Sequence, residues 1–278
     1  MVKSFSFFAA TAAMVAVSTS AFALTVEDVL ASATTPEEQG LAIAKEADAR
    51  DLGFGDMEVD VEMVLKNAQG QESTRKMRSK AYELVDTSVG DKTMIVFDYP
   101  RDVAGTAFLT YSKILEADDQ WLYLPALKRV KRISSKNKSG PFMGSEFAYE
   151  DISSPEVGKY SYKYLRTESC KGNEALSCLV IDRFPLYKHS GYTKQTSWID
   201  TAEFRLQAVD FYDRKNELMK SLVNKDYQQY LGKYWRADRF EMVNHLTGKS
   251  TILYWKNYRF KTGQKESDFT KNNLKRVR

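Results

Sequence analysis

The chain has 278 residues, with 41 lysines and arginines against 37 aspartates and glutamates and a formal charge of +4. Hydrophobic residues make up 43% and aromatic residues 13%, which is enough to bury a core and excludes a disordered or low-complexity protein. The single long apolar run lies at the N-terminus, which excludes a polytopic membrane protein. Two cysteines and two histidines leave little material for a metal site, and the charge excess alone does not indicate a nucleic-acid binder.

The first residues have the pattern of a cleavable secretory signal. Lys3 precedes an uncharged apolar run at 5–17, and an A-x-A motif ends at Ala23. A membrane anchor would need about 20 apolar residues to cross the hydrocarbon, and this run is shorter. We therefore expect residues 1–23 to be removed after export and residues 24–278 to form a single domain.

The two cysteines are placed to form a disulfide. Cys170 and Cys178 flank a turn-like segment between two strand-like runs. In an oxidising compartment, a close pair across a hairpin is expected to be bonded. A redox centre usually has C-x-x-C spacing, so a structural disulfide is favoured over a catalytic one.

Helical patterns open the region after the signal. A short helix begins at Thr25–Leu30, and Thr35, Pro36 and Glu38 have the N-cap, first-turn proline and capping-box positions of a second helix. Gly53 is expected to end it. Its amphipathic stripe consists of Leu41, Ile43, Ala44, Ala47 and Leu52.

After Gly55 the hydrophobic period changes to two, which predicts antiparallel strands. No helical pattern separates them, so we predict a mainly β fold with one large antiparallel sheet that curls toward a barrel or half-barrel. A short helix is expected from about Ser267, before Leu274. The predicted strands are Met57–Leu65, Ser73–Val85, Lys92–Tyr99, Thr106–Glu116, Trp121–Leu124, Leu127–Ser134, Tyr160–Glu168, Leu179–Pro185, Thr193–Asp200, Phe204–Tyr212, Leu218–Tyr230, Trp235–Val243 and Ser250–Phe260.

One long irregular segment interrupts the strands at Ser134–Lys159. It brings four large apolar or aromatic residues close together in sequence: Phe142, Met143, Phe147 and Tyr149. Long loops with little structure of their own are usually functional or mobile. The segment is therefore a candidate for a functional loop.

The strongest local charge feature is a basic stretch formed by Lys128, Arg129, Lys131 and Arg132. Charges on a strand edge discourage edge-to-edge pairing, which would be a structural role. The functional alternative is a contact surface for anionic lipid head groups or an acidic partner. The sequence leaves both readings open.

Enzymatic motifs are absent from the sequence. It contains no G-x-S-x-G, H-E-x-x-H, Walker loop or G-x-G-x-x-G, and neither His189 nor His245 has a catalytic context. We therefore predict no enzyme activity, no catalytic residues and no cofactor, although counting alone leaves a carboxylate pair open. The apolar face of the sheet is either a packed core or the wall of a cavity, and composition does not choose between them.

Two consecutive motifs resemble a known family. The segment Trp121–Ile133 reads WLYLPALKRVKRI, and Phe142–Asp151 reads FMGSEFAYED. Both are similar to LolA-like outer membrane lipoprotein-sorting proteins of Gram-negative bacteria, in particular to a longer branch often encoded beside transporters of the resistance–nodulation–division (RND) type. Further similar segments are Asp98–Leu109, Ser197–Asp200 and Ser267–Thr270.

The resemblance implies an incomplete antiparallel barrel whose open side is plugged by helices around an apolar cavity. It implies a periplasmic carrier that binds lipoprotein acyl chains or other lipids and moves them between the inner and outer membranes, with an RND-type transporter and an outer-membrane acceptor as partners. Phe142, Met143, Phe147 and Tyr149 would form a lid. The residues expected to shape or anchor this loop are Trp121, Tyr123, Pro125, Arg129, Arg132, Gly144 and Asp151.

A second function fits the same resemblance. A related periplasmic regulator, RseB, uses a similar half-barrel to sense mislocalised lipids while it contacts a membrane-bound partner. A sensor should hold a stable complex with one regulatory protein, whereas a carrier should exchange cargo between two membranes. A neighbouring gene for a large transporter would favour the carrier.

Overall fold

The computed structural model describes residues 24–84 and 89–276. The expected signal at 1–23 and the last residue of the predicted strand Ser73–Val85 lie outside the described residues.

Thirteen antiparallel strands form one sheet in the order β6-β5-β4-β3-β2-β1-β13-β12-β11-β10-β9-β8-β7. Within the described residues β6 and β7 do not pair, so the sheet is not closed into a barrel. The predicted fold class is therefore confirmed. The strands are β1 (Asp56–Lys66), β2 (Glu72–Tyr82), β3 (Val89–Tyr99), β4 (Ala107–Lys113), β5 (Asp119–Leu124), β6 (Arg129–Arg132), β7 (Tyr160–Cys170), β8 (Asn173–Pro185), β9 (Lys194–Asp200), β10 (Leu206–Tyr212), β11 (Leu218–Tyr230), β12 (Tyr234–Asn244) and β13 (Ser250–Phe260).

The sheet consists of two meanders that meet where β1 pairs with β13. Phe108 of β4 and Val209 of β10 belong to one buried cluster, although seven strand steps separate them. A direct contact shows that the sheet curls: Lys159, next to β7, forms an ion pair at 2.9 Å with Asp118, next to β5, whereas a flat sheet would hold these two strands roughly 53 Å apart. We call the face that carries this cluster the inner face.

Two predicted strands and the terminal helix need correction. The predicted strand Thr106–Glu116 ends at Lys113, and the predicted strand Leu127–Ser134 is reduced to Arg129–Arg132 because a 3-10 turn occupies Pro125–Leu127. The helix expected from Ser267 is wrong. Two 3-10 turns replace it, at Glu266–Asp268 and Asn273–Lys275, because so short a segment does not offset the cost of helix nucleation.

Two helices precede the sheet, as the sequence predicts. They are α1 (Val26–Ala31) and α2 (Pro36–Asp51), and each begins with a capping box, made by Thr25 with Asp28 and by Thr35 with Glu38. Val29, Ile43 and Ala44 pack against a group of residues on β7, β8 and β9, which holds α2 over one part of the inner face.

The segment 133–159, which we call the crossing segment, connects the two free edges β6 and β7. It contains 3-10 turns rather than strands, and it passes over the inner face, where Phe142 and Phe147 enter the largest buried cluster. At the β7–β8 hairpin, Cys170 and Cys178 form the expected disulfide, with their Cα atoms 4.9 Å apart.

Candidate functional site

A cavity of about 950 Å³ lies beneath α2. Its walls come from α2, from residues 154–158 of the crossing segment, from the start of β3, and from the inner parts of several strands between β7 and β12. A volume of this size is at the upper end for small-molecule sites in proteins. Its apolar lining includes Leu41, Ala44, Ala47, Val157, Ile181, Ile199, Phe204 and Leu206.

The cavity follows from two sequence patterns that meet there. The apolar stripe of α2 supplies Leu41, Ala44 and Ala47, which are spaced three residues apart and therefore share a helix face. The strands supply alternate residues such as Ile181 and Ile199, which point to the inner face. Small side chains on α2 leave space between the helix and the sheet.

Carboxylates form one part of the cavity wall. Asp91 and Glu156 lie together, and the backbone N–H of Asp91 donates to Glu156 Oε1 at 3.2 Å. Burial raises the pKa of Asp91 to about 7, and the nearby Glu156 and Glu83 add to the shift. Partial loss of hydration likewise raises the pKa of Asp48, which stays exposed on one side, to about 6, again with a contribution from Glu156. Asp91 and Asp48 therefore take up protons near neutral pH.

Three cations of the lining are already engaged by the protein. Arg205 lies 2.8 Å from Asp200, and Arg236 forms an ion pair with Asp51. Lys233 Nζ donates to the carbonyl of Leu52 at 2.5 Å. These side chains hold the walls of the cavity in place.

Phe142, Met143, Phe147 and Tyr149, the predicted lid residues, are brought together by the fold but do not line this cavity. Phe142 is fully buried, with its ring centroid 5.1 Å from that of Phe108 and 6.0 Å from that of Phe97. The Tyr149 ring packs edge-on to Phe142 at 5.5 Å. In this structure the four residues are part of the main core.

Asp151, one of the predicted anchoring residues, fixes the crossing segment to the sheet. Its carboxylate lies 2.7 Å from Lys220 Nζ, and both side chains are buried. The hydroxyl of Tyr192 donates to Asp151 at 2.9 Å, and the backbone N–H of Ala148 donates at 2.7 Å. Gly144 has a φ of +78°, a conformation that favours glycine.

The other predicted anchoring residues lie around β5 and β6. Trp121 packs on the outer face with Tyr123, and its ring centroid is 4.9 Å from that of Tyr111. Pro125 begins a 3-10 turn before β6. Of the two arginines, Arg132 pairs with Asp119, while Arg129 is exposed on the edge strand.

Sequence reasoning missed the polar residues of the cavity. Arg183 and Ser197 both line it, on β8 and β9. One sequence signal could have identified Arg183. It follows Leu179 and Ile181 at the same two-residue spacing, so a charged residue occupies a position on the apolar face of the strand.

Comparison with known proteins agrees with this architecture. A crystal structure of a Vibrio parahaemolyticus domain, described as an outer membrane lipoprotein-sorting protein domain, is 56% identical with a TM-score of 0.82, covering 86% of this chain and 99% of that one. A family model described as an uncharacterized protein matches residues 90–276. The chain belongs to the LolA-like outer membrane lipoprotein-sorting family.

Two further crystal structures are similar over most of the chain. A DUF1329 family protein from Desulfovibrio piger is 28% identical with a TM-score of 0.80, covering 87% of this chain and 100% of that one. A LolA superfamily protein from Nitrosomonas europaea shares the fold at 20% identity with a TM-score of 0.67, also covering 87% and 100%. No curated protein matches the chain.

The described residues lack two features, a membrane-spanning helix and a cluster of metal-ligating side chains. Residues 24–84 and 89–276 contain no helix with the length and apolar character required to cross a membrane. The same residues contain no group of three or more His, Cys, Asp or Glu side chains arranged to hold a metal ion.

Proposed function

We propose that this protein is a periplasmic carrier that holds the acyl chain of a lipoprotein or another lipid in the cavity beneath α2 and passes it between the inner and outer membranes. An RND-type transporter would deliver the cargo, and an outer-membrane component would accept it. The observation that carries the proposal is the partly apolar cavity of about 950 Å³, in a member of the LolA-like family. Each methylene group moved from water into such a cavity contributes about 0.8 kcal/mol.

A carrier must uncover its cavity to exchange cargo, and the predicted lid residues do not line that cavity. A lid that includes Phe142 and Phe147 would have to expose two buried rings, at about 1.5–3 kcal/mol each. By contrast, α2 and residues 154–158 cover the cavity directly. We therefore place the moving cover there. The lid role of Phe142, Met143, Phe147 and Tyr149 stays a prediction.

The exposed cations in β6 and directly before it suit a membrane-facing role. Lys128, Arg129, Lys131 and Arg132 are all exposed at the free edge of the sheet. Each such charge near an anionic membrane surface is worth about 1 kcal/mol. This edge is the proposed contact with lipid head groups or with an acidic surface of a partner.

Blocking the cavity tests the carrier proposal. Ala47 lines the cavity, so Ala47→Trp should fill part of it and weaken binding of a fluorescent fatty-acyl probe at least tenfold. Ala49 is exposed on the same helix, so Ala49→Trp is the matched control and should bind as the wild type does. Thermal melts of both variants check that the fold is retained. Wild-type affinity in a folded Ala47→Trp variant would contradict the proposal.

A further inference from the structure

Three polar side chains meet on the inner face where β8 pairs with β9. Arg183 lies directly across from Gln195, and Ile181 lies across from Ser197. Cross-strand partners share a face of the sheet. Gln195 and Ser197 are each only 2% exposed, and Arg183 and Ser197 line the cavity.

These side chains lack the partners that buried polar groups normally have. Within residues 24–84 and 89–276, Arg183 Nε, Gln195 Oε1 and Ser197 Oγ are buried and make no hydrogen bond. Over the same residues Arg183 has no ion pair, whereas Arg205 in the same cavity lies 2.8 Å from Asp200. A buried polar group without a partner typically costs about 1–3 kcal/mol, so three adjacent ones call for an explanation.

The aromatic contact of Arg183 does not supply the missing partner. Its guanidinium carbon lies 5.0 Å from the centroid of the Tyr160 ring. A cation over a ring face interacts with the π system. It leaves the N–H groups in the guanidinium plane to donate elsewhere, and their geometry matches a carboxylate or a phosphate.

We propose that Arg183 and Ser197 bind the anionic head group of an amphiphile whose aliphatic chain occupies the cavity. Arg183 supplies the charge and donates hydrogen bonds to the anionic oxygens, and the Ser197 hydroxyl donates a further one. Gln195 lies across from Arg183 on the neighbouring strand but does not itself line the cavity. This inference rests on the proposed function and specifies its ligand as a chain with a carboxylate or phosphate at one end.

The charges of the cavity also give the ligand a direction. The carboxylates of the lining lie outside β8 and β9: Asp48 and Asp51 on α2, Asp91 on β3, Glu156 on the crossing segment, and Glu83 and Glu203 in the loops that follow β2 and β9. When these carboxylates are ionised, as at pH 8, a negative head group is repelled there and attracted to Arg183. A single-ended anionic chain therefore binds in one orientation, with its head at β8 and β9.

A head-group series tests the inference. Dodecanoic acid, dodecyl phosphate and dodecanol share one chain length, and each is titrated at pH 8 against a bound neutral probe, N-phenyl-1-naphthylamine. In the wild type the tighter of the two anions should bind at least tenfold more tightly than dodecanol. Arg183→Met should bring this affinity ratio close to one and leave dodecanol binding unchanged. Ser197→Ala should lower the same ratio several-fold.

Matched variants keep the test interpretable. Arg166 is exposed on β7 and pairs with Glu168 at 2.8 Å, so Arg166→Met should keep the wild-type ratio. Arg183→Lys retains the positive charge and should keep part of the preference for the anions over dodecanol. This result would support the inference even if Arg183→Met folds poorly. Tighter binding of dodecyl phosphate supports a phosphate-bearing lipid as the ligand, and tighter binding of dodecanoate supports a fatty carboxylate.

The two possible failures are distinct. Equal affinity of the wild type for dodecanol and both anions overturns the head-group site, while the carrier proposal stands because all three chains bind. Failure of the probe and of all three compounds to bind overturns the carrier proposal itself.

Discussion

Gly40 sets the distance between α2 and the sheet. A Cβ atom at this position would lie 2.8 Å from the backbone nitrogens of both Lys163 and Tyr164 on β7. Backbone atoms cannot move aside as the end of a flexible side chain can. Glycine in a helix costs about 1 kcal/mol relative to alanine, and here it permits the close contact that positions the cover of the cavity.

The variant Gly40→Ala tests this contact. Helix propensity alone would stabilise the protein by about 1 kcal/mol, but the clash with β7 should outweigh this gain and lower the free energy of unfolding. Because α2 covers the cavity, probe affinity should change as well. Chemical denaturation and probe titration measure the two effects.

Ala49→Gly is the control for the Gly40→Ala variant. Ala49 is exposed on the same helix, so the change should cost about 1 kcal/mol and leave probe affinity unchanged. A Gly40→Ala protein that is more stable than the wild type and binds normally would contradict the role assigned to Gly40.

At the scale of single residues, a feature can be predicted when the residues that cause it are close to it in the sequence. The capping residues Thr35 and Glu38 and the disulfide at Cys170 follow from nearby sequence, and the structure confirms them. Arg183 looks like an ordinary strand residue until β9 and α2 are placed beside it. Its role depends on partners distant in sequence, so spacing alone does not predict it.

At the scale of elements, a carboxylate in the cavity wall makes the stability of the protein depend on pH. The pKa of Asp91 is raised to about 7 by burial, with Glu156 and Glu83 adding to the shift, from an ordinary value of 3.8. The folded state therefore takes up this proton at a higher pH than the unfolded state does. The stability from protonation is fully present below about pH 4 and is lost as the pH rises through about 7.

The variant Asp91→Asn should reduce this pH dependence. Asparagine keeps an oxygen that can accept the hydrogen bond from the Leu84 N–H, which is 3.0 Å long in the wild type. At pH 8 the variant should be more stable than the wild type by on the order of 1–3 kcal/mol, after allowance for solvent screening. At pH 4 the two should be similar.

Denaturation at several pH values between 4 and 8 measures this difference. Glu174 is exposed on β8, so Glu174→Gln serves as a charge-matched control and should follow the wild-type curve. Parallel curves for Asp91→Asn and the wild type would show that Asp91 does not carry the pH dependence.

Elements with strong local patterns are predicted well, and irregular ones are not. The strands Leu218–Tyr230 and Ser250–Phe260 match β11 and β13 residue for residue. The crossing segment is identifiable by its aromatic residues, but its burial depends on which part of the sheet it meets. Nothing local to Phe142 determines that this ring packs on Phe97 and Phe108.

At the scale of the whole molecule, the pairing of β1 with β13 determines the architecture. It joins two meanders into one open sheet whose inner face is filled in two different ways. The rings of Phe142 and Phe147 fill one part, and α2 covers another part without filling it. The sequence predicts an apolar inner face, but the choice between a packed core and a cavity required the three-dimensional arrangement, which contains both.

A crystal structure of residues 24–278 with a fatty acid brominated at its terminal carbon tests the central claim most directly. Anomalous scattering locates the bromine independently of any atomic interpretation of the chain. The account predicts a bromine peak in the space between α2 and the inner face, with the carboxylate near Arg183. Bromine found only outside this space, with the cavity unchanged at saturating fatty acid, would contradict it.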